Sequence, residues 1–393
     1  CEKRVNCIFE GLYLLKNGTY SNFLFVTFSF IHMKNSFLLF FLPLAIGYII
    51  GIDFGTQFIK VAYQPFNRPS DIVPDPSGKR KIANAVYFGE DMRVFGNNAE
   101  GYTKLRPKYI FMGINELLGQ GGESNIPASF QQRGYPYEFV LTERNTWSLR
   151  LLPGSGFDDI PSVSAEELSA MVLDYIVSIV EKEYGETGRE VVLSIPSSFS
   201  QHQRRALLDA AQLANIHVVA MIDQTTASAV TYAMTRHDDG FKRFILYDIG
   251  SHYTECSAVE VETVHENGIS KKNVVILGKE TIPIGGADFT AVISSLIADR
   301  FEQQYREDPL QDMKVVARLR ENSQKYKEIL SANREVQINE PNLLAGKDIQ
   351  FVLYREEFEE DSMTLFDKLL RILQSLIERL NLNIVCKIGP IYG

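Results

Sequence analysis

Two segments of the chain repeat one pattern, and that repeat limits the fold more than any other feature. Ile49-Ile-Gly-Ile-Asp53-Phe-Gly55-Thr56 is echoed by Phe244-Ile-Leu-Tyr-Asp248-Ile-Gly250-Ser251. Each has four mostly apolar residues, an aspartate, an apolar residue, a glycine and a hydroxyl. A single Asp-x-Gly is ordinary turn chemistry. Two copies, each ending a strand pattern, each set an acceptor for a metal-bound water beside a glycine turn whose N–H groups can approach a phosphate. The repeat points to a duplicated fold with a nucleotide clamped between its halves. Gly285-Gly286-Ala-Asp288, at the end of a strand pattern and the start of a helical one, is a third phosphate-facing turn.

The surrounding pattern is that of an α/β protein. Two apolar runs around a polar, glycine-containing break predict a β-hairpin over 49–63. A strand is expected at 85–88, and 117–137, rich in Gly, Pro and Gln, reads as loop. Ser164-Ala-Glu-Glu167 is a capping box, followed by apolar residues at helical spacing from Leu168 to Val180. Strands at 190–195, 217–222 and 244–247 then alternate with helices at 201–214 and 226–234, which implies parallel strand pairs. Strands at 248–262 and 273–283 and long helices at 287–305, 312–330 and 356–380 complete the reading.

Composition narrows the functional classes. With 49 acidic and 40 basic residues the net charge is -9, so no general attraction to nucleic acid or anionic membranes is expected. An anionic ligand must be held locally, by backbone amides or a metal. The length of 393 residues fits two or three lobes. Cys1, Cys7, Cys256 and Cys386 form no CxxC pair, hence neither a disulfide framework nor a zinc site. Met33 and Lys34 precede an apolar run ending in small residues, so 33–47 reads as a secretory signal peptide and 1–32, with its sequon Asn17-Gly18-Thr19, as an upstream extension. A membrane anchor is the alternative, but His32, Lys34 and Asn35 interrupt the run.

At this point the residues carry a family resemblance. Gly51-Ile-Asp53-Phe-Gly55-Thr56, the block from Leu193 to Ala211 containing Pro196 and Arg204, Tyr247-Asp248-Ile-Gly250-Ser251 and Ile284-Gly285-Gly286 resemble the ATPase domain of the heat-shock protein 70 family. Leu117-Leu-Gly119, Lys327-Glu-Ile-Leu-Ser331 and Phe358-Glu-Glu360 are similar to its large lumenal class, the hypoxia up-regulated proteins. The resemblance implies the actin-like ATPase fold: two lobes with duplicated ribonuclease-H-like cores, lobe I over 48–236 and lobe II over 237–381, the latter incomplete before a divergent tail at 382–393. It implies ATP or ADP with Mg2+ as cofactors. Asp53 and Asp248 would hold waters on magnesium and, with Glu255, form the catalytic set. Gly55, Thr56, Gln57, Gly250 and Ser251 would meet the β- and γ-phosphates, and Gly285 and Gly286 the α- and β-phosphates. Lys327 and Ser331 would line the adenosine pocket, although a solvated helix face also accounts for Lys327. Pro196 and Arg204 would relay nucleotide state to a peptide-binding domain.

The implied protein is a chaperone of the endoplasmic reticulum lumen. Its partners would be unfolded polypeptides, bound by a domain this chain does not contain, and the main lumenal heat-shock protein 70, for which it would act as nucleotide exchange factor. No nucleic acid, and no membrane after signal cleavage, is expected. A sugar-type kinase of the same superfamily is the alternative. Departures from the family pattern argue against efficient hydrolysis. Asn115 stands where a lysine is expected, Gln224 where a glutamate is, and His252 where a glycine is, which puts a side chain where the backbone would meet phosphate, and the late loop acid persists only as Glu255. Losing one such charge commonly costs about 10²-fold in rate. ATP binding is therefore expected with weak or absent turnover, the phosphates being held by turn amides and magnesium alone.

Overall fold

The computed structural model describes residues 48–382 except 66–67, 158, 186–187, 236–239 and 267–268. The readings made for 1–32 and 33–47, nearly all of the tail, and Cys1, Cys7 and Cys386 lie outside the described residues.

The first hairpin forms as its apolar runs require. Ile49–Phe54 and Phe58–Gln64 pair antiparallel, setting Phe54 opposite Ile59 and Asp53 opposite Lys60. Glu190–Ile195 joins Ile49–Phe54 in parallel, and His217–Asp223 joins Glu190–Ile195 in parallel, while Asp71–Val73 extends the other edge. Ile50, Ile52, Val191 and Leu193 are fully buried, as expected of central strands covered on both faces. The predicted capping box is present: Glu167 N–H donates to Ser164 Oγ at 3.2 Å and Ser164 N–H to Glu167 Oε2 at 2.8 Å. It starts helix Ala165–Tyr184, which buries Leu168, Leu173, Ile176 and Val180 in one core with the sheet and with Leu207 and Ala210 of helix Gln201–Leu213.

The second half is built on a different sheet. Phe241–Ile249, Thr254–Glu266 and Ile269–Ile282 are antiparallel, with Asp248 opposite Glu255. Among the described residues this sheet has no parallel strand, whereas the first has two parallel pairs. Helix Gln224–Thr235 lies between the two sheets. Its Ala227 packs with Val192 of the first, and its Ala229 and Ala233 pack with Val259 and Val261 of the second. Small side chains let the helix approach both. Met363–Arg379 covers the other face of the second sheet, Leu376 meeting Cys256 and Ala258. A further core forms around Ile293, Phe301, Leu319, Ile338 and Leu353, from helices Gly286–Tyr305 and Met313–Ala332 and the hairpin Glu335–Leu344 with Lys347–Tyr354.

Three local readings need correction. The segment 117–137 is not all loop, because Ile126–Gln132 is helical with a proline in its first turn, where the missing N–H costs nothing. The hairpin spanning 335–354 was not anticipated: Pro341 and the fully buried Glu340 interrupt its alternation. Glu340 is tolerated there because Asn322, Tyr326 and Arg318 all donate to its carboxylate. The helix expected over 356–380 is two helices, Arg355–Asp361 and Met363–Arg379, meeting at buried Ser362. Phe358 of the first helix and Leu369 of the second share one core, and Leu376, two turns further along the second, reaches another.

Candidate functional site

Both strand-end aspartates open onto one cleft of about 300 Å³, lined from both halves of the molecule, a size at the lower end for a small-molecule site. The first wall is the turn of the first hairpin. Gly55 has a physical reason to be glycine, since a Cβ there would lie 2.4 Å from the Phe58 carbonyl oxygen. The turn presents Gly55, Thr56 and Gln57 to the cleft. Asp53 is almost fully buried, and its two oxygens are engaged: Ser194 Oγ donates to Oδ1 at 2.8 Å, Gln224 Nε2 to Oδ1 at 3.2 Å, and Lys60 Nζ to Oδ2 at 3.1 Å.

The opposite wall carries Asp248, Gly250 and Ser251. Gly250 N–H donates to the Tyr253 carbonyl at 2.8 Å, closing that turn. The third turn is stitched to it, because Gly286 N–H donates to Gly250 O at 2.9 Å and Ala287 N–H to Ser251 O at 2.8 Å. Gly285 lies behind this seam rather than on the cleft surface, and a Cβ there would sit 2.4 Å from Ser251 O. Glu255 also lines the cleft, its Oε1 accepting the Ser197 N–H at 2.7 Å. Its Oε2 is buried with no hydrogen-bond partner. Burial pushes its carboxyl up to about 7, and the Asp248 and Asp223 charges add to that push against the Ser197 hydrogen bond.

The remaining sequence-predicted residues divide. Lys327 lines the cleft and donates to Gly286 O and, at 2.8 Å, to Thr290 Oγ1; burial brings its ammonium down to about 8. Ser331, one turn further along the same helix, is exposed and donates to Glu328 O; it does not line the cleft. Pro196 lines the cleft beside Ser197, which bonds Glu255. Arg204 does not, but donates to Phe199 O at 3.1 Å and to Asp223 Oδ1 at 3.0 Å. Lys279 of the second sheet also pairs with Asp223, so this carboxylate joins the two halves next to Gln224. Although burial opposes it, Lys279 and Arg204 hold Asp223 below the ordinary carboxylate range.

Two expectations about the departures are overturned. His252 does not project toward the phosphate turns. It is buried with Nδ1 against the Glu116 carboxylate and Nε2 3.2 Å from Tyr135 Oη. Turn amides and magnesium are also not the only positive groups available to the phosphates. Asn115 is fully buried behind the wall, donating to Phe54 O at 3.1 Å, but Lys60 and Lys327 both face the cavity and Lys81 stands at its rim. A register count would have found Lys60. With Gly55 to Phe58 as a four-residue turn, Phe54 meets Ile59 and Lys60 falls opposite Asp53, and cross-strand partners share a face. The sequence reading also missed Arg133, which donates to Glu116 Oε2 at 3.1 Å, Asp288 Oδ1 at 3.0 Å and Pro283 O at 3.0 Å, tying the halves together beneath the cleft.

The residues fit a magnesium nucleotide. Two carboxylates and three glycine-bearing turns converge on one cavity, and the glycines at 55 and 285 are tight enough to exclude a side chain. Among the described residues no group of three or more His, Cys, Asp or Glu could ligate a metal directly.

Comparison with known proteins gives one family. The family model described as "Hsp70 protein" matches residues 49–385. A protein named hypoxia up-regulated protein 1 from Xenopus laevis is 28% identical over 327 residues, 81% of this chain and 50% of that protein. Heat shock protein 70 homolog lhs1 from Schizosaccharomyces pombe is 27% identical over 342 residues, 85% of this chain and 40% of its own length. Heat shock 70 kDa protein 15 from Arabidopsis thaliana is 29% identical over 343 residues, 86% and 39% respectively. The chain thus spans half or less of the length of these relatives.

Proposed function

The chain belongs to the Hsp70 family and has that family's actin-like ATPase fold; from this premise we propose that it binds ATP or ADP with Mg2+ between lobe I (48–236) and lobe II (237–381) and works as a chaperone component of the endoplasmic reticulum lumen. The observation that carries the reading is the convergence of Asp53 and Asp248, from two separate hairpins, on one glycine-walled cleft. Asp53 and Asp248 are the groups to hold waters on the metal. Gly55, Thr56, Gln57, Gly250 and Ser251 are the groups to meet the phosphates. Magnesium, when bound with nucleotide, supplies positive charge to the phosphate oxygens. The Gly286 N–H already bonds Gly250 O, so its direct use by a phosphate requires the seam to loosen.

Turnover is proposed to be slow. Gln224 spends its amide on Asp53 rather than presenting an acid, Asn115 is walled off, and Glu255 is balanced near neutrality rather than firmly ionised. A bound state that persists suits a docking conformation better than a rapid cycle. The names of the relatives favour the lumenal class, which supports localisation in the endoplasmic reticulum and a role as nucleotide exchange factor for the main lumenal Hsp70. The family match does not favour the sugar-kinase alternative.

Isothermal calorimetry of the chain with Mg-ATP tests the reading. The expected outcome is saturable binding that Asp248→Asn weakens by roughly tenfold or more, the scale of one charge-assisted contact. Absence of heat, or affinity untouched by the substitution, would count against it.

A further inference from the structure

The first hairpin puts a cation where the metal's water shell is expected to be held. Asp53 and Lys60 are direct cross-strand partners, so both side chains leave the sheet on the same face, into the cleft. The Lys60 ammonium lies 3.1 Å from Asp53 Oδ2, with its side chain only 11% exposed. Ser194 and Gln224 occupy the other oxygen. The second hairpin has the same register but sets an acid, Glu255, opposite Asp248. The two aspartates are therefore not equivalent. Asp248 sits in a locally acidic pair suited to a divalent cation. Asp53 already has a positive partner, which repels a second cation and leaves the carboxylate less able to organise the waters of one.

The same ammonium lines the cavity with Gly55, Thr56 and Gly250. An ammonium carries three donors, and one of them suffices for Asp53. The others are available to an anion in the cleft.

We propose that Lys60 is a resident cation of the nucleotide site, meeting the phosphate oxygens of bound nucleotide itself and so making binding only weakly dependent on Mg2+. The inference rests on the nucleotide reading above and adds a residue and a metal requirement to it. It also accounts for a cleft in which Asn115 supplies no charge.

The test is the dissociation constant of a fluorescent ADP analogue, measured on the full chain in excess Mg2+ and in EDTA, for wild type, Lys60→Met and Lys60→Arg. Wild type is expected to bind in EDTA within roughly tenfold of its Mg2+ affinity. Lys60→Met should raise the EDTA-to-Mg2+ ratio of dissociation constants by roughly tenfold or more, and Lys60→Arg, which keeps the charge, should leave it near wild type. A merely structural lysine would lower affinity equally in both conditions. Wild-type binding abolished by EDTA, or an unchanged ratio in Lys60→Met, overturns the proposal while leaving the nucleotide site intact. No binding in either condition overturns the nucleotide reading itself. If Lys60→Met does not fold, the wild-type and Lys60→Arg ratios decide alone, a large ratio in both being the overturning result.

Discussion

Glu255 shows what one buried acid does to this cleft. Burial and the neighbouring Asp248 and Asp223 charges raise its carboxyl to about 7 from an ordinary 4.5. Between those values the folded chain holds a proton that the unfolded chain has released. Stability therefore falls as pH rises through that window, and the loss is complete above about 7. The shift corresponds to a penalty on the order of 3 kcal/mol. Glu255→Gln keeps an acceptor for the Ser197 N–H while removing the charge. In metal-free thermal melts it should be more stable than wild type at pH 8 by several degrees and nearly equal at pH 5. Parallel melting curves across that range would refute the assignment. Lys327 has the opposite sense: its lowered value, about 8, means its burial costs stability below that pH and is relieved toward the ordinary 10.5. Phosphate in the cleft would favour its charged form.

At the level of elements, the turns are held by close backbone approach rather than by side chains. Gly119 has φ +62°, and a Cβ on it would lie 2.6 Å from the His202 carbonyl carbon and 2.7 Å from the Gln203 nitrogen. It lets the Leu117-Leu-Gly119 turn press on the first residues of helix Gln201–Leu213, which also carries Arg204. Gly119→Ala should cost about 2 kcal/mol or more, since a positive φ and a backbone clash coincide. Chemical denaturation would measure it, and a loss under about 0.5 kcal/mol would mean that the turn can move away. The periodic elements were well anticipated: the strand Glu190–Ile195 has the predicted ends, one helix starts at its predicted Ser164 cap, and the next starts at Gln201 as expected, on a Ser200 cap that only the structure shows. Elements went unread where polar residues sit on a buried face, as Glu340 does. Its partners come from a helix earlier in the chain, and no local pattern announces them.

For the molecule as a whole, the cluster beneath the cleft couples the halves. Arg133 and Glu116 are buried, and Asp288 is mostly so. Removing the guanidinium leaves two carboxylates without their cation. Arg133→Met should destabilise by about 3–5 kcal/mol, and small-angle scattering should report a larger radius of gyration as the halves part. A compact variant with an unchanged melting temperature would show that the Asp223 bridge and helix Gln224–Thr235 suffice to hold them. The duplicated Asp-x-Gly pattern, the strand and helix alternation, and the family to which they belong were all readable along the chain, because each depends on the spacing of a few adjacent residues. Which charges the cleft contains was not. Lys60 enters it through strand register, Lys327 through the packing of a distant helix, and His252 leaves it because Glu116 and Tyr135 offer its ring better partners. Electrostatics depends on distance in space, and side chains far apart in the chain are brought within 3 Å only by folding.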